Sequence, residues 1–196
     1  MELIFATGNL NKLIEASDIL GASFKLQSLR QLGFTGEIEE PWHTFEENAL
    51  AKARFVYQKY GMNCFSDDSG LEVEALGGLP GVQSAYYAGP EKNCANNLSK
   101  LLRELEHQPN RAARFRTVVA LIQSGKEHIF EGTINGAITY APQGDGGFGY
   151  DPVFVPNGYT ATFGELPKDV KNLLSHRAEA LRKMRDFLLS LEQINP

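Results

Sequence analysis

Cysteine is nearly absent: Cys64 and Cys94 are the only two in 196 residues. Two thiols so placed make neither a disulfide framework nor a zinc-ligand spacing, so they are read as reduced thiols. Long hydrophobic runs are missing too. The longest, such as 118–122, hold about five residues, where a spanning helix needs about 20. No membrane association is expected. The opening Met-Glu-Leu-Ile-Phe-Ala-Thr-Gly carries an acid at position 2 and no basic stretch, unlike a secretory signal. Together these point to the cytoplasm. A surplus of positive charge is also lacking, since 19 Lys and Arg face 24 Asp and Glu for a net charge of −5. Affinity for duplex nucleic acid rests largely on phosphate contacts, so no nucleic-acid partner is expected. A small polyphosphate stays open, because it needs only a local cluster of cations. No repeat, low-complexity segment or linker divides the chain.

What is present is ordinary for a globular protein, with 42% hydrophobic and 22% charged residues. The length predicts a single domain over 1–196, burying on the order of 70% of its unfolded surface. The apolar run at 3–6 reads as a buried strand. Residues 11–20 carry a helical stripe through Leu13, Ile14, Ala16, Ile19 and Leu20, stopped at Gly21. Residues 29–43 are polar and irregular, with a break at Pro41. Thr44-Phe45-Glu46-Glu47 is a capping box opening a helix that ends at Gly61. Strands are predicted at 63–66 and 71–76, with a turn at Asp67-Asp68-Ser69-Gly70 between them. A helix follows over 91–107. Residues 114–123 and 126–140 form a hairpin about Ser124-Gly125. After a glycine-rich loop at 141–152 come a strand at 153–155 and a helical turn at 168–174. Ser175 is placed as N-cap of a terminal helix. Interleaved strands and helices predict an α/β fold with a mixed sheet.

Five segments could carry chemistry. TGNLNK at 7–12 joins a strand to a helix start, where unpaired amides and the helix dipole favour a phosphate, and Lys12 adds a cation. Its spacing is not that of a Walker A loop. Asp67 and Asp68 at a strand end suit Mg²⁺, which binds through one or two carboxylates plus substrate phosphates. As strand neighbours they should face opposite ways, one toward a cleft and the other capping backbone. Glu37, Glu39 and Glu40 form an acidic patch ahead of the helix bearing Lys52. Gly146-Gly147-Phe148-Gly149-Tyr150-Asp151-Pro152 combines free backbone with a ring on which a base could stack. Lys171 and Ser175-His176-Arg177 place cations and a histidine near a helix start. Each segment alone also has a plain structural reading: a polar turn, an Asp-Ser-Gly turn, a solvated charged face, a tight loop around a core aromatic, a capping histidine.

Taken in order, the segments resemble one family closely. TGNLNK at 7–12, TFEENALAKA at 44–53, DDSGLEVEALGGLPGVQSA at 67–85, GGFGYDPVF at 146–154 and SHRAEAL at 175–181 are similar to the motifs of the inosine triphosphate pyrophosphatase family, with its spacing. The likeness covers nearly the whole chain. One departure is Glu40-Pro41-Trp42-His43, where the family often has Glu-Thr-Gly; the acid is kept and the loop after it changes.

The resemblance implies a long central mixed β-sheet flanked by helices, as two lobes with an active-site cleft between them, and a homodimer. It implies hydrolysis of ITP, dITP and XTP to the monophosphate and pyrophosphate with Mg²⁺, removing these nucleotides from the pool before incorporation. Carried onto this chain, Thr7, Gly8, Asn9, Leu10, Asn11, Lys12, Lys52 and Ser69 would bind phosphates. Glu40 and Asp68 would hold the metal, and Asp68 would be general base to the attacking water. Phe148, with Gly149 and Tyr150 in its loop, would stack on the purine. Lys171, His176 and Arg177 would donate to O6, and Asp151 or its backbone would accept from N1–H. The nearest rivals are a Maf-like enzyme acting on pyrimidine nucleotides and a non-catalytic nucleotide-binding module.

Overall fold

The computed structural model describes residues 1–40 and 42–194; the break expected at Pro41 lies outside the described residues. Six strands form one mixed sheet: β1 (Glu2–Phe5), β2 (Lys25–Ser28), β3 (Cys64–Val73), β4 (Ala112–Gln123), β5 (Lys126–Ile138) and β6 (Phe154–Pro156). Their order is β2-β1-β3-β4-β5-β6. β1 runs parallel to β2, with Glu2 opposite Lys25, and parallel to β3, with Phe5 opposite Phe65. β6 is antiparallel to β5, with Ile138 opposite Phe154. The helices are α1 (Leu10–Leu20), α2 (Phe45–Tyr60), α3 (Cys94–Glu104), α4 (Lys168–Leu174) and α5 (His176–Ile194). The expected α/β class and mixed sheet are those observed.

Local chemistry sets the helix ends. The Asn9 side chain accepts from the amides of Asn11 and Lys12 and starts α1, which ends at Gly21. Thr44 accepts from the Glu47 amide, and the Thr44 hydroxyl donates to the Glu47 carboxylate. Thr44 is thus the N-cap that was expected, although the Glu47 carboxylate meets its hydroxyl where a full capping box would use its backbone N–H, and α2 ends at Gly61 as predicted. Asn93 caps α3 by accepting from Asn96 N. That cap shortens the helix expected over 91–107.

The chain divides into two compact units. The first comprises Met1–Asp68, Thr117–Gly132 and Arg177–Pro196. Its core joins Leu3 and Phe5 of β1, Ala16 and Leu20 of α1, Phe65 of β3, Val119 and Leu121 of β4, and Leu181, Met184 and Leu188 of α5. Phe5 and Phe65 stack at 4.3 Å. The second comprises Ser69–Arg116 and Thr133–His176. It packs Leu71, Val73, Leu101, Leu105, Phe115, Tyr150, Phe154 and Phe163. β4 changes character between the two. Burial alternates over 112–116 and is continuous over 117–122. Alternation marks one buried face, and a continuous run marks a strand covered on both.

Several predicted boundaries are corrected. The turn at 67–70 and the separate strand at 71–76 are instead one ten-residue strand, β3, followed by a 3-10 turn at Glu74–Leu76. Gly70 is needed there for close approach. A Cβ at that position would lie 2.2 Å from the Gly81 carbonyl oxygen, so its glycine punctuates nothing. β2 went unpredicted because Lys25–Ser28 is short, polar and only partly buried. The strand expected at 153–155 begins at Phe154, because Asp151–Val153 forms a 3-10 turn with proline at its start. The hairpin strands run over Ala112–Gln123 and Lys126–Ile138. Ser175 stands in extended backbone between α4 and α5.

Candidate active site

In the first unit, the start of α1, the end-on pair of β3 acids, α2 and the start of α5 supply one charged constellation. Asp67 is at its centre. Lys12 Nζ lies 3.1 Å from both carboxylate oxygens of Asp67. Arg177 Nε lies 3.3 Å from Oδ2, while Arg177 Nη1 pairs with Glu15. Lys52 Nζ donates to the Asp67 carbonyl at 2.7 Å and to the Glu40 carboxylate. Asp67 and Arg177 are each 2% exposed. The adjacent Asp68 faces another set of partners. Its Oδ2 accepts from Asn48 Nδ2 at 3.0 Å. That same amide donates to the Trp42 carbonyl, and Asn48 Oδ1 accepts from Trp42 N. Asn48 therefore ties the loop ahead of α2 to the Asp68 carboxylate.

The neighbouring aspartates are driven apart in acidity. Burial by itself would raise the Asp67 carboxyl. The Lys12 ammonium and the Arg177 guanidinium, with Lys52 behind them, outweigh burial and hold it well below the usual carboxylate range. At Asp68 burial wins: Lys52 and Lys12 offset it only in part, Glu40 adds to it, and its pKa stands above the ordinary value. Burial also lowers Lys12, against the pull of Asp67. Lys52 goes the other way, because Asp68, Glu40 and Asp67 together outweigh burial and strengthen its hold on a proton. Asp67 is thus a permanent anion that fixes two cations. Asp68, by contrast, holds a proton more readily than an ordinary carboxylate.

The cluster sets three cations, Lys12, Lys52 and Arg177, against four carboxylates, Glu15, Glu40, Asp67 and Asp68. Alone, such a balance repels a triphosphate. Glu40 and Asp68 offer hard oxygen ligands of the kind Mg²⁺ takes, one or two carboxylates completed by phosphate oxygens. Among the described residues no group of three or more His, Cys, Asp or Glu side chains is arranged to hold a metal.

In the second unit, a different group forms around Asp151. Its Oδ2 accepts from Phe148 N at 2.7 Å and from Lys171 Nζ at 2.6 Å. Lys171 Nζ also lies 4.8 Å from the centre of the half-buried Phe148 ring. His176 is buried and stacks nearly parallel on Phe115, ring centres 4.7 Å apart. Tyr150 belongs to the core, with its hydroxyl donating to the Ser84 carbonyl at 2.8 Å. Ser69 is half-buried at the start of this unit.

The expected residues therefore fall into two groups. Lys12, Lys52, Glu40, Asp68 and Arg177 belong to the first unit. Phe148, Gly149, Tyr150, Asp151, Lys171, His176 and Ser69 belong to the second. Arg177 pairs with Asp67 and Glu15. Gly8, Asn9, Leu10 and Asn11 are exposed at the head of α1, and Thr7 Oγ1 accepts from Asn9 N. The idea that one of the β3 acids caps backbone gives way to the Asp67 ion pairs. Lys52 does not lie on a solvated helix face. Two residues were missed. Glu15 stands three after Lys12, and Asn48 four before Lys52, each on the same helix face as its lysine; that spacing was the available signal.

The Ham1 family matches residues 3–187 of the chain. A protein of Porphyromonas gingivalis named dITP/XTP pyrophosphatase is 50% identical over 189 residues, covering 96% of this chain and 97% of that protein. A Flavobacterium johnsoniae protein of the same name is 46% identical over 188 residues, covering 96% and 98%. Among solved structures, a HAM1 protein from Coxiella burnetii superposes with a TM-score of 0.88 at 35% identity, over 97% of this chain and 99% of that one. A chain with this sheet order and these paired charged and aromatic groups is thus an α/β protein of one defined lineage. It belongs to the Ham1 family.

Proposed function

We propose that this chain is a nucleoside triphosphate pyrophosphatase. It hydrolyses the non-standard purine nucleotides ITP, dITP and XTP to the monophosphate and pyrophosphate, and so keeps them out of DNA and RNA. The observation that carries this reading is the seating of Asp68. It is a buried carboxylate of raised pKa beside Glu40 and Lys52, next to an aspartate that holds Lys12. The names and near-complete coverage of the bacterial relatives support the same reaction.

The phosphate chemistry is assigned to the first unit. Lys12 and Lys52 meet the triphosphate, along with Thr7, Gly8, Asn9, Leu10 and Asn11 at the head of α1; Ser69 of the second unit adds a hydroxyl. Glu40 and Asp68 would hold Mg²⁺, which would supply withdrawal of charge from the phosphates and acidification of water. Asp68 accepts a proton from the attacking water as its oxygen bonds to phosphorus and the α–β anhydride breaks. Asn48 keeps the Asp68 carboxylate oriented through its amide.

Base recognition is assigned to the second unit. Phe148 stacks on the purine, with Gly149 and Tyr150 shaping its loop. Lys171 and His176 supply donors for the O6 of a 6-oxopurine. Arg177, locked between Asp67 and Glu15, acts by organising the phosphate cations. Adenine presents an amino group where hypoxanthine has O6, so its entry leaves donor facing donor, an expensive mismatch in a buried site. The two units work as one catalytic domain over 1–196, in a cytoplasmic homodimer. No described helix is long and apolar enough to cross a membrane.

The test is the initial rate of pyrophosphate release from ITP, ATP and GTP at equal concentration with MgCl₂. The expected outcome is release from ITP faster by about two orders of magnitude or more. Equal rates on all three overturn the base assignments. No release from any of them overturns the enzyme.

A further inference from the structure

Asn48 and Lys52 stand one turn apart on the same face of α2. Each reaches two ways, to the loop ahead of α2 and to the end of β3. Lys52 Nζ joins the Glu40 carboxylate of the loop to the Asp67 carbonyl of the strand. Asn48 joins the Trp42 backbone of the loop to the Asp68 carboxylate of the strand. The two ties differ in kind. The tie at Lys52 is ionic, and its ammonium is the group that a triphosphate would also draw. The tie at Asn48 is made by a neutral amide, with no charge for an anion to claim.

Both donors and the acceptor of that amide are engaged. Trp42 N needs an acceptor, which fixes Asn48 Oδ1 toward it at 3.1 Å. The Nδ2 group then faces two acceptors, the Trp42 carbonyl at 3.3 Å and Asp68 Oδ2 at 3.0 Å. Asn48 is 2% exposed, so a lost bond here strands a buried polar group. α2 does not depend on Asn48 to lie against β3. The Ser66 hydroxyl donates to the Ala49 carbonyl, and the Cys64 thiol to the Ala53 carbonyl at 3.3 Å. These bonds already hold helix to strand. What Asn48 adds is the loop.

We propose that Asn48 is a positioning residue that holds the loop carrying Glu40 in place on β3, so that Glu40 and Asp68 stay aligned when Lys52 turns to the substrate. The proposal rests on the pyrophosphatase reading above and deepens it. Asn48 acts through these two carboxylates.

Asn48→Ala tests it, and Trp42, the one tryptophan of the chain, is a reporter already in place. Its side chain is half-exposed. In the ligand-free protein, acrylamide should quench Trp42 more strongly in the variant than in the wild type. Groups that orient metal-binding carboxylates are worth about 10–100-fold in metal affinity or activity. The Mg²⁺ concentration for half-maximal pyrophosphate release from ITP should therefore rise about tenfold or more. At saturating Mg²⁺ the KM for ITP should stay within about threefold, because Lys12 and Lys52 are untouched. Asn48→Leu fills the same space without polar groups and should show both shifts. Wild-type behaviour in Asn48→Leu would mean that the side chain only fills space, and overturns the proposal. Wild-type quenching or an unchanged Mg²⁺ requirement in both variants also overturns it. So does a fall in rate that tracks the unfolded fraction by circular dichroism while the Mg²⁺ requirement stays constant. A wild type that releases no pyrophosphate from ITP overturns the functional reading beneath, and the proposal with it, whatever Trp42 reports.

Discussion

Each compact unit buries an aspartate against a lysine, and the two pairs are built for different work. Asp67 lies between two cations, Lys12 and Arg177, with a third, Lys52, on its own carbonyl. Asp151 accepts from the Lys171 ammonium and the Phe148 backbone amide, with the Phe148 ring beside the ammonium. The first arrangement manages charge: it concentrates ammonium and guanidinium groups that would repel one another if Asp67 and Glu15 were absent. The second manages geometry, fixing a ring and a donor in register. The contrast teaches that a buried Asp–Lys pair is not one kind of object. Its neighbours decide whether it organises a field or a shape.

The largest expected effect separates Asp68 from Asp67. Asp68→Asn should lower kcat on ITP by roughly 10²–10⁴, the usual worth of a general base, while nucleotide still binds. An unchanged kcat would remove Asp68 from the proton transfer. Next comes the cohesion of the first constellation. Arg177→Ala leaves Glu15 and Asp67 buried without their shared guanidinium, and breaking such a cluster costs about 3–5 kcal/mol. Urea unfolding followed by circular dichroism should report a loss of that size. A loss under about 1 kcal/mol, typical of exposed pairs, would show that the cluster contributes no more than a surface ion pair.

These two positions also show what could be read from the chain alone. The strand–TGNLNK–helix junction, the capping box at Thr44, the hairpin and the mixed α/β class were legible because each rests on local chemistry: a cap, a turn, a period. The grouping of the site residues was less so. The family motif marks Lys52 as a phosphate ligand, but only the fold brings it to the Asp67 carbonyl and Glu40. The pairing of Arg177 with Glu15, 162 positions away, has no local signal at all. The DDSG segment looked like a turn because Gly70 signals one locally. Its glycine answers a long-range approach by Gly81 that no window of sequence contains.

The smallest effect contrasts the two cysteines, one in each unit. Cys64 is fully buried, its thiol donating to the Ala53 carbonyl at 3.3 Å, and burial pushes its pKa up to about 12. Cys94 is exposed. The thiolate is the reactive form, so at pH 8 the folded chain should consume about one equivalent of a thiol reagent, on Cys94, and the unfolded chain about two. Rapid labelling of Cys64 in the folded protein would contradict the packing of β3 against α2.

The central claim is that the charged constellation of the first unit directs water to the α–β anhydride of a 6-oxopurine nucleotide. It is tested most directly by separating the products of ITP turnover in Mg²⁺. The account predicts IMP and pyrophosphate in equal amounts from the first turnovers onward. IDP with inorganic phosphate, at any appreciable yield, would contradict it.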